Sequence, residues 1–278
     1  MSDKRSSLEI FELATGRSRV VLETDALIEA PNWDPGGATL LVNGGGRLFR
    51  VALEGRAELH PVATGFADAC NNDHGISPDG TRIALSHDAA EGSTIYLLPA
   101  EGGEPVQVTA RNPSYWHGWS PDGATLAFCG ARGGRFDIFT IAADGGKERR
   151  LTEGAGHNDG PDYAADGSAI WFNSDRSGAA QIWRMETDGA KPRQVTDDGL
   201  ANWFPHPSPD GRLVLYLAYA PGTQGHPRDR EVALRLMDPD GRNVRTVLAL
   251  FGGQGTINVP CWAPDGSAFA FIRYARAG

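Results

Sequence analysis

Ser77-Pro78-Asp79-Gly80 and Ser120-Pro121-Asp122-Gly123 are two copies of a phrase that recurs along this chain. The other four copies, two of them degenerate, are Asp34-Pro35-Gly36-Gly37, Ala164-Ala165-Asp166-Gly167, Ser208-Pro209-Asp210-Gly211 and Ala263-Pro264-Asp265-Gly266. Proline presets the backbone at the second position, and glycine tolerates a left-handed conformation at the fourth. Each phrase therefore predicts a tight turn between two strands.

The spacing of these turns predicts the architecture. Their final glycines lie at positions 37, 80, 123, 167, 211 and 266, so that successive copies are 43 or 44 residues apart except for the last, at 55. This period is typical of β-propeller blades. Strand-like runs such as Thr125–Phe128 and Phe136–Ile141 follow each turn, and a shorter run ends in Leu151-Thr152. We predict an all-β, six-bladed propeller of four-stranded antiparallel blades.

The last blade needs strands from elsewhere in the chain. Only 12 residues follow Gly266, too few for a third and a fourth strand. The N-terminal runs Ile10–Gly16 and Arg19–Thr24 resemble those two strands in the other blades. We therefore predict that strands from about residues 7–24 complete the sixth blade, in one domain spanning residues 1–278.

The repeat as a whole resembles a known family. An aromatic residue before Ser-Pro-Asp-Gly, an apolar strand after it, an Ile-Tyr or Ile-Phe strand and a Leu-Thr ending are similar to the WD40-like (PD40) repeats of the TolB propeller family. This resemblance implies a six-bladed propeller. The family's envelope role depends on an export signal and an additional N-terminal domain, neither of which is visible here, so that role is not expected. Propeller peptidases would need a G-x-S-x-G motif, which the chain lacks.

The net charge and the cysteine content indicate which classes of partner and which cellular compartment to expect. The net charge of −9 and the pI near 5.2 disfavour nucleic acid and anionic membranes as partners. Residues 1–5 are polar and lead into no apolar signal segment. Three cysteines without C-x-x-C spacing are typical of a reducing compartment. We expect a cytoplasmic monomer.

Polar and aromatic residues cluster before the first strand of each blade. We define the top face as the end that carries the connections between blades. His74 and His117 replace a residue that is proline in the other four blades, at Pro31, Pro161, Pro205 and Pro260. We predict a ligand site at the top mouth of the channel, composed of Asn72, Asp73, His74, Trp116, His117, Asn158, Trp203 and His206.

Two functions remain open from these residues. The first is a non-enzymatic binding module whose top face holds a protein segment or a small polar ligand; a large apolar patch there would favour the protein. The second is a hydrolase or lyase acting on a sugar-like or lactone-like substrate, with His74 or His117 as general base. The sequence assigns no catalytic residue and no cofactor, and it contains no H-E-x-x-H metal motif, although imidazoles at the mouth leave a divalent metal as an alternative.

The fifth blade carries an insertion of about 11 residues between its second and third strands, within residues 219–230. It is predicted to emerge on the top face, as a lid, a partner-contact loop or a tolerated surface insertion.

Overall fold

The structure is a computed structural model that describes residues 5–154 and 156–275, and in these ranges the chain is all β. Five sheets have four antiparallel strands each in sequential order, and a sixth sheet combines the two ends of the chain. The six sheets are the blades of one propeller ring, which confirms the predicted fold class.

The strands are named β1 to β23 in chain order. The two N-terminal strands are β1 (Ser6–Glu12) and β2 (Arg17–Thr24). Blade one holds β3 (Glu29–Trp33), β4 (Thr39–Gly44), β5 (Arg47–Ala52) and β6 (His60–Pro61). Blade two holds β7 (Cys70–Ile76), β8 (Arg82–Ala89), β9 (Gly92–Pro99) and β10 (Val106–Gln107). Blade three holds β11 (Ser114–Trp119), β12 (Thr125–Arg132), β13 (Arg135–Ala142) and β14 (Arg149–Arg150).

The remaining strands complete the ring. Blade four holds β15 (Asn158–Tyr163), β16 (Ala169–Ser174), β17 (Gln181–Glu186) and β18 (Arg193–Gln194). Blade five holds β19 (Ala201–Pro207), β20 (Val214–Tyr219), β21 (Arg230–Met237) and β22 (Arg245–Gly252). Blade six holds β23 (Ala268–Tyr274) and the N-terminal pair.

The N-terminal strands close blade six, as predicted. β1 lies between β2 and β23, with Leu8 opposite Ile272 and Phe11 opposite Phe269. The rings of Phe11 and Phe269 stack with centroids 5.0 Å apart. The innermost strand of this blade is reduced to one bridge, between Trp262 and Phe269. Blade six is therefore joined by pairing between the first and the last strand of the chain.

The repeated phrase forms the expected turn. In the first full copy, the Ser77 hydroxyl donates to Asp79 Oδ1 at 2.5 Å, and the Gly80 amide donates to the Ser77 carbonyl at 2.8 Å. Gly80 has a φ of +72°, in the region that favours glycine. The same two bonds recur in the copies beginning at Ser120 and Ser208. The phrase thus fixes the hairpin between the first two strands of a blade.

The innermost strands carry a repeated irregularity. The pairing of β11 with β12 passes from Trp116 directly to Gly118, which leaves His117 in a bulge. Corresponding bulges interrupt β3, β15 and β19, where Pro31, Pro161 and Pro205 fall outside the ladder. A bulge re-aims side chains away from the regular alternation of a strand. The channel-facing side chains therefore depart from strict two-residue periodicity.

Apolar side chains fill the spaces between neighbouring blades. Trp116 of blade three packs against Gly75 of blade two so closely that a Cβ at Gly75 would lie 2.2 Å from its ring. The Trp119 indole donates to the Gly75 carbonyl at 3.3 Å. The repeat-position aromatics thus serve packing between blades.

In the part of the chain that the structure describes, no helix has the length and apolar character needed to cross a membrane.

Candidate functional site

A cavity of about 270 Å³ opens at the top of the channel, where the innermost strands begin. Its walls come from blades two to five, from the insertion of blade five and from the segment that precedes Trp262. The lining residues are Asn71, Asn72, Asp73, Asp88, Tyr115, His117, Cys129, Phe136, His157, Asp159, Phe204, His226, Gln254 and Asn258. The wall is thus built of carboxylates, carboxamides, imidazoles and aromatic rings.

Three imidazoles converge on one carboxylate, that of Asp159. His117 Nε2 lies 3.3 Å from Asp159 Oδ1, whereas His157 Nε2 and His226 Nε2 lie 3.4 Å and 3.5 Å from Asp159 Oδ2. His117 also directs its Nδ1 to the carbonyl of Asn258, at 3.3 Å. We call His117, His157, His226 and Asp159 the histidine cluster.

Burial and charge set the protonation of this cluster. Burial alone would raise the pKa of Asp159, but its hydrogen bonds to the three histidines hold that pKa well below its usual value. Burial would lower the pKa of His117, but the carboxylates of Asp73 and Asp159 raise it to about 9. His117 is therefore an imidazolium at neutral pH, which agrees with both its ring nitrogens facing oxygen acceptors.

Asp73 lines the cavity, and its carboxylate has no hydrogen-bond donor among the described residues. Its side chain is buried, with 5% of the residue exposed, and in residues 5–154 and 156–275 its carboxylate accepts no hydrogen bond and joins no ion pair. Burial raises its pKa to about 7, although the charge of His117 acts in the opposite direction. A buried carboxylate without a donor is costly. The open side of Asp73 faces the cavity.

Aromatic rings form a continuous wall beside the cluster. The rings of Phe136 and His157 stack with centroids 4.7 Å apart. His226 packs edge-on against Trp203 at 4.5 Å and against Phe204 at 5.1 Å. These contacts hold the imidazoles of His157 and His226 in fixed orientations.

The insertion of blade five covers part of the mouth. We call residues 220–229, between β20 and β21, the strap. His226 of the strap reaches Asp159 in blade four, and Arg228 Nη2 donates to Glu29 Oε1 in blade one at 2.6 Å. The Tyr219 hydroxyl donates to the carbonyl of Pro227 at 3.2 Å. The strap therefore spans the seam of the ring and supplies one wall of the cavity.

Three of the residues predicted for the site line the cavity: Asn72, Asp73 and His117. His74 does not, because the pairing of β7 with β8 resumes at His74 itself, opposite Leu85, whereas His117 lies inside its bulge. The imidazole of His74 is fully buried, among the backbone groups of Ala30, Leu41 and Asn71. Burial lowers its pKa to about 4, so it is a neutral core side chain.

The other four predicted residues support the cavity from outside its lining. Trp116 is buried against Gly75. Asn158 donates to Asp137 at 3.0 Å and accepts from Arg176 at 2.6 Å. Trp203 packs against His226, as described above. His206 is 2% exposed and lies between Asp162, at 3.0 Å, and the carbonyl of Ile257, at 2.7 Å.

Sequence reasoning missed Asp159, His157 and His226. The first two flank Asn158, and alternation along a strand places them on the opposite face from it. That period of two was the available signal, and it also separates Tyr115 and His117, which line the cavity, from Trp116. For His226 no local pattern exists, because the course of the strap across the mouth depends on long-range contacts.

No group of three or more His, Cys, Asp or Glu side chains within residues 5–154 and 156–275 is arranged to hold a metal ion. In the histidine cluster each Nε2 atom is directed at a carboxylate oxygen of Asp159, at the distances given above.

The chain as a whole is similar to known proteins. A family model described as the TolB beta propeller domain matches residues 76–226. An uncharacterized protein of Agrobacterium fabrum is 53% identical over 271 residues, covering 97% of this chain and 92% of that protein.

Solved structures show the same fold. A TolB-like protein from Agrobacterium tumefaciens has a TM-score of 0.97 and 52% identity, with 99% of each chain covered. TolB of Acinetobacter baumannii has a TM-score of 0.68 and 20% identity, covering 90% of this chain and 64% of that one. An oligogalacturonate lyase in complex with manganese has a TM-score of 0.56 and 17% identity, covering 90% and 75%. The family model spans more than half of the sequence and the curated relative spans nearly all of it, and the chain therefore belongs to the TolB β-propeller family.

Proposed function

We propose that this propeller is a binding module that takes a small polar ligand into the cavity at the top of its channel. The observation that carries the proposal is the carboxylate of Asp73, which is buried at the cavity wall and has no donor in the described chain. In folded proteins a buried polar group of this kind nearly always has a hydrogen-bond partner. A ligand that donates a hydrogen bond to Asp73, or places a positive charge beside it, would provide the missing partner.

The size of the cavity favours a small ligand over a protein segment. A volume of about 270 Å³ is near the lower end for small-molecule sites, and the strap already occupies part of the mouth. The large hydrophobic side chains that are exposed among the described residues are Val20, Phe66, Val106 and Val244, which belong to separate blades or connections. A protein-docking surface would instead be marked by a contiguous exposed apolar patch.

The experiment is a thermal-shift screen with small polar compounds: neutral sugars, sugar acids, amines, dicarboxylates and divalent cations, including Mn²⁺. A ligand at a hundredfold excess over its Kd stabilises a folded protein by about 3 kcal/mol, so a true ligand raises the Tm. His226→Ala and Asp73→Asn should each remove that shift. His60→Ala, at an exposed site in β6, is the matched control and should retain it.

A second candidate function, catalysis, has one observation in its favour. The pKa of Asp73 is raised to about 7 and that of His117 to about 9, and strongly shifted pKa values at one cavity are typical of sites of acid–base catalysis. In such a reaction the carboxyl group of Asp73 would accept a proton from the substrate or donate one to it. His74 is outside the cavity, and His117 is already protonated, so neither would serve as the general base at neutral pH.

The second candidate is tested on sugar-like and lactone-like substrates, including oligogalacturonate, the substrate class named for the lyase of similar fold. Product formation by the wild type that is lost in Asp73→Asn, with folding unchanged, would establish catalysis. Binding without turnover of any compound would leave the binding module as the function.

A further inference from the structure

We infer that the ligand carries a positively charged nitrogen, an ammonium group seated on Asp73 against the faces of Tyr115 and Phe136. This inference rests on the proposed binding function and names the class of compound that the cavity takes.

The carboxylate of Asp73 lacks a hydrogen-bond donor among the described residues. An ionised carboxylate only accepts hydrogen bonds, so whatever completes the cavity at this point must donate. A charged donor makes a shorter and stronger bond to a carboxylate than a neutral one does. A carboxylate or phosphate on the ligand would instead face Asp73 with like charge.

The second argument is the charge inventory of the cavity. None of the lysines and arginines in residues 5–154 and 156–275 lines it. The charge of Asp159 is matched by the histidines around it, but Asp73 and Asp88 join no ion pair in the described ranges; Asp88 accepts only from the Asn71 amide, at 3.0 Å. The imidazolium of His117 offsets part of the charge of Asp73, and the negative charge that remains on the cavity wall near Asn71 attracts cations.

The third argument is the aromatic surface beside these carboxylates. The rings of Tyr115 and Phe136 are partly exposed, with centroids 6.3 Å apart. Burial raises the pKa of Tyr115, and the carboxylates of Asp88 and Asp73 raise it further, which shows that the ring lies in their field. Aromatic faces attract organic cations, and most strongly where carboxylates add to the field.

The test is isothermal titration calorimetry with matched pairs of probes at about pH 8, where Asp73 is ionised. Choline is compared with its uncharged isostere, in which a tert-butyl group replaces the trimethylammonium group, and putrescine is compared with butanediol. D-Galacturonate and D-glucose represent the anionic and the neutral hydroxylated alternatives. We expect at least one cation to bind about tenfold or more tightly than its uncharged partner.

Variants assign the binding to the cavity. Asp73→Asn should weaken the cation by about tenfold or more, whereas Asp144→Asn, at an exposed site between β13 and β14, should not. Tyr115→Leu should weaken the cation and leave the isostere unaffected, and Tyr115→Phe should preserve both.

The outcomes of these titrations distinguish a cationic ligand from binding at the cavity in general. Equal binding of cation and isostere, or binding of galacturonate or glucose alone, overturns the assignment of a cationic ligand; if that binding is lost in Asp73→Asn, the cavity remains the binding site. If no probe gives binding that depends on Asp73, both the cationic ligand and the proposed function are rejected.

Discussion

The guanidinium of Arg228 donates to the carboxylate of Glu29 at 2.6 Å, although the two residues are 199 positions apart and belong to blades five and one. Glu29 also lies 3.4 Å from the hydroxyl of Tyr274 in blade six, so three blades meet at this carboxylate. Burial raises the pKa of Glu29, even though Arg228 opposes the shift. The pair thus holds the strap over the seam of the ring.

Removal of this pair should loosen the strap. Arg228→Ala leaves a largely buried carboxylate without its cation, a change that costs about 1–3 kcal/mol when a buried partner is lost. We expect faster hydrogen exchange and faster proteolytic cleavage within residues 220–229. Arg242→Ala, which removes an exposed pair with Asp240, is the control and should leave the strap unchanged. Equal exchange rates in the two variants would contradict the role given to Arg228.

Asp73→Asn should stabilise the protein at alkaline pH. Burial raises the folded-state pKa of Asp73 to about 7, above the unfolded value of 3.8; the charges of Asp159 and Asp88 add to this shift, and those of His117 and His226 oppose it. Ionisation of Asp73 therefore does not lower the free energy of unfolding below about pH 4. The loss of stability grows between about pH 4 and pH 7 and is complete above about pH 7. The variant should gain roughly 1–3 kcal/mol of unfolding free energy at about pH 8 relative to about pH 5.

Denaturant titrations across this pH range measure the effect, with Asp144→Asn as the exposed control. Parallel pH curves for Asp73→Asn and the wild type would show that Asp73 is not buried as the structure has it.

His74 should contribute to acid unfolding. Burial lowers its folded pKa from 6.5 to about 4, so the unfolded state gains a proton first as the pH falls. Stability is unaffected above about pH 6.5 and is lost progressively down to about pH 4, by about 3 kcal/mol at most. His74→Gln should flatten this part of the curve, whereas His60→Gln, at an exposed site, should follow the wild type. The idea fails if all three proteins lose stability with the same slope.

Phe11 should be essential to the closure of the ring. It is 4% exposed and stacks on Phe269, so Phe11→Ala should cost about 3–5 kcal/mol of unfolding free energy. Val20→Ala in the neighbouring strand β2 is the control, since Val20 is 54% exposed, and should change stability by about 0.5 kcal/mol or less. Similar losses for the two variants would indicate that β1 does not carry the seam.

The fold was predictable because its signal is local and repeated. Each Ser-Pro-Asp-Gly turn is fixed by bonds within a few residues, such as that of Ser77 with Asp79, and the constant interval between turns sets the blade. The repeat pattern does not indicate that the innermost strand of blade six is reduced to a single bridge at Trp262.

The site was predictable only in part because it depends on register and on contacts between blades. His74 and His117 are equivalent in the aligned repeats, but the bulge of β7 ends before His74, which pairs opposite Leu85 and is buried in the core, whereas His117 lies within its bulge. Asp159 becomes the centre of the site only through histidines from blades three, four and five, a convergence that no segment of sequence displays.

The pairing of β1 with β23 also has a consequence for biosynthesis. β1 leaves the ribosome before blades one to five and finds its neighbour β23 only after they have been made, so five blades precede the closure of the ring. During that interval the N-terminal hairpin presents an unpaired edge, the feature that most readily joins with other chains. Slow translation or a late truncation should therefore harm this protein more than an equal delay would harm a chain whose strands pair in order.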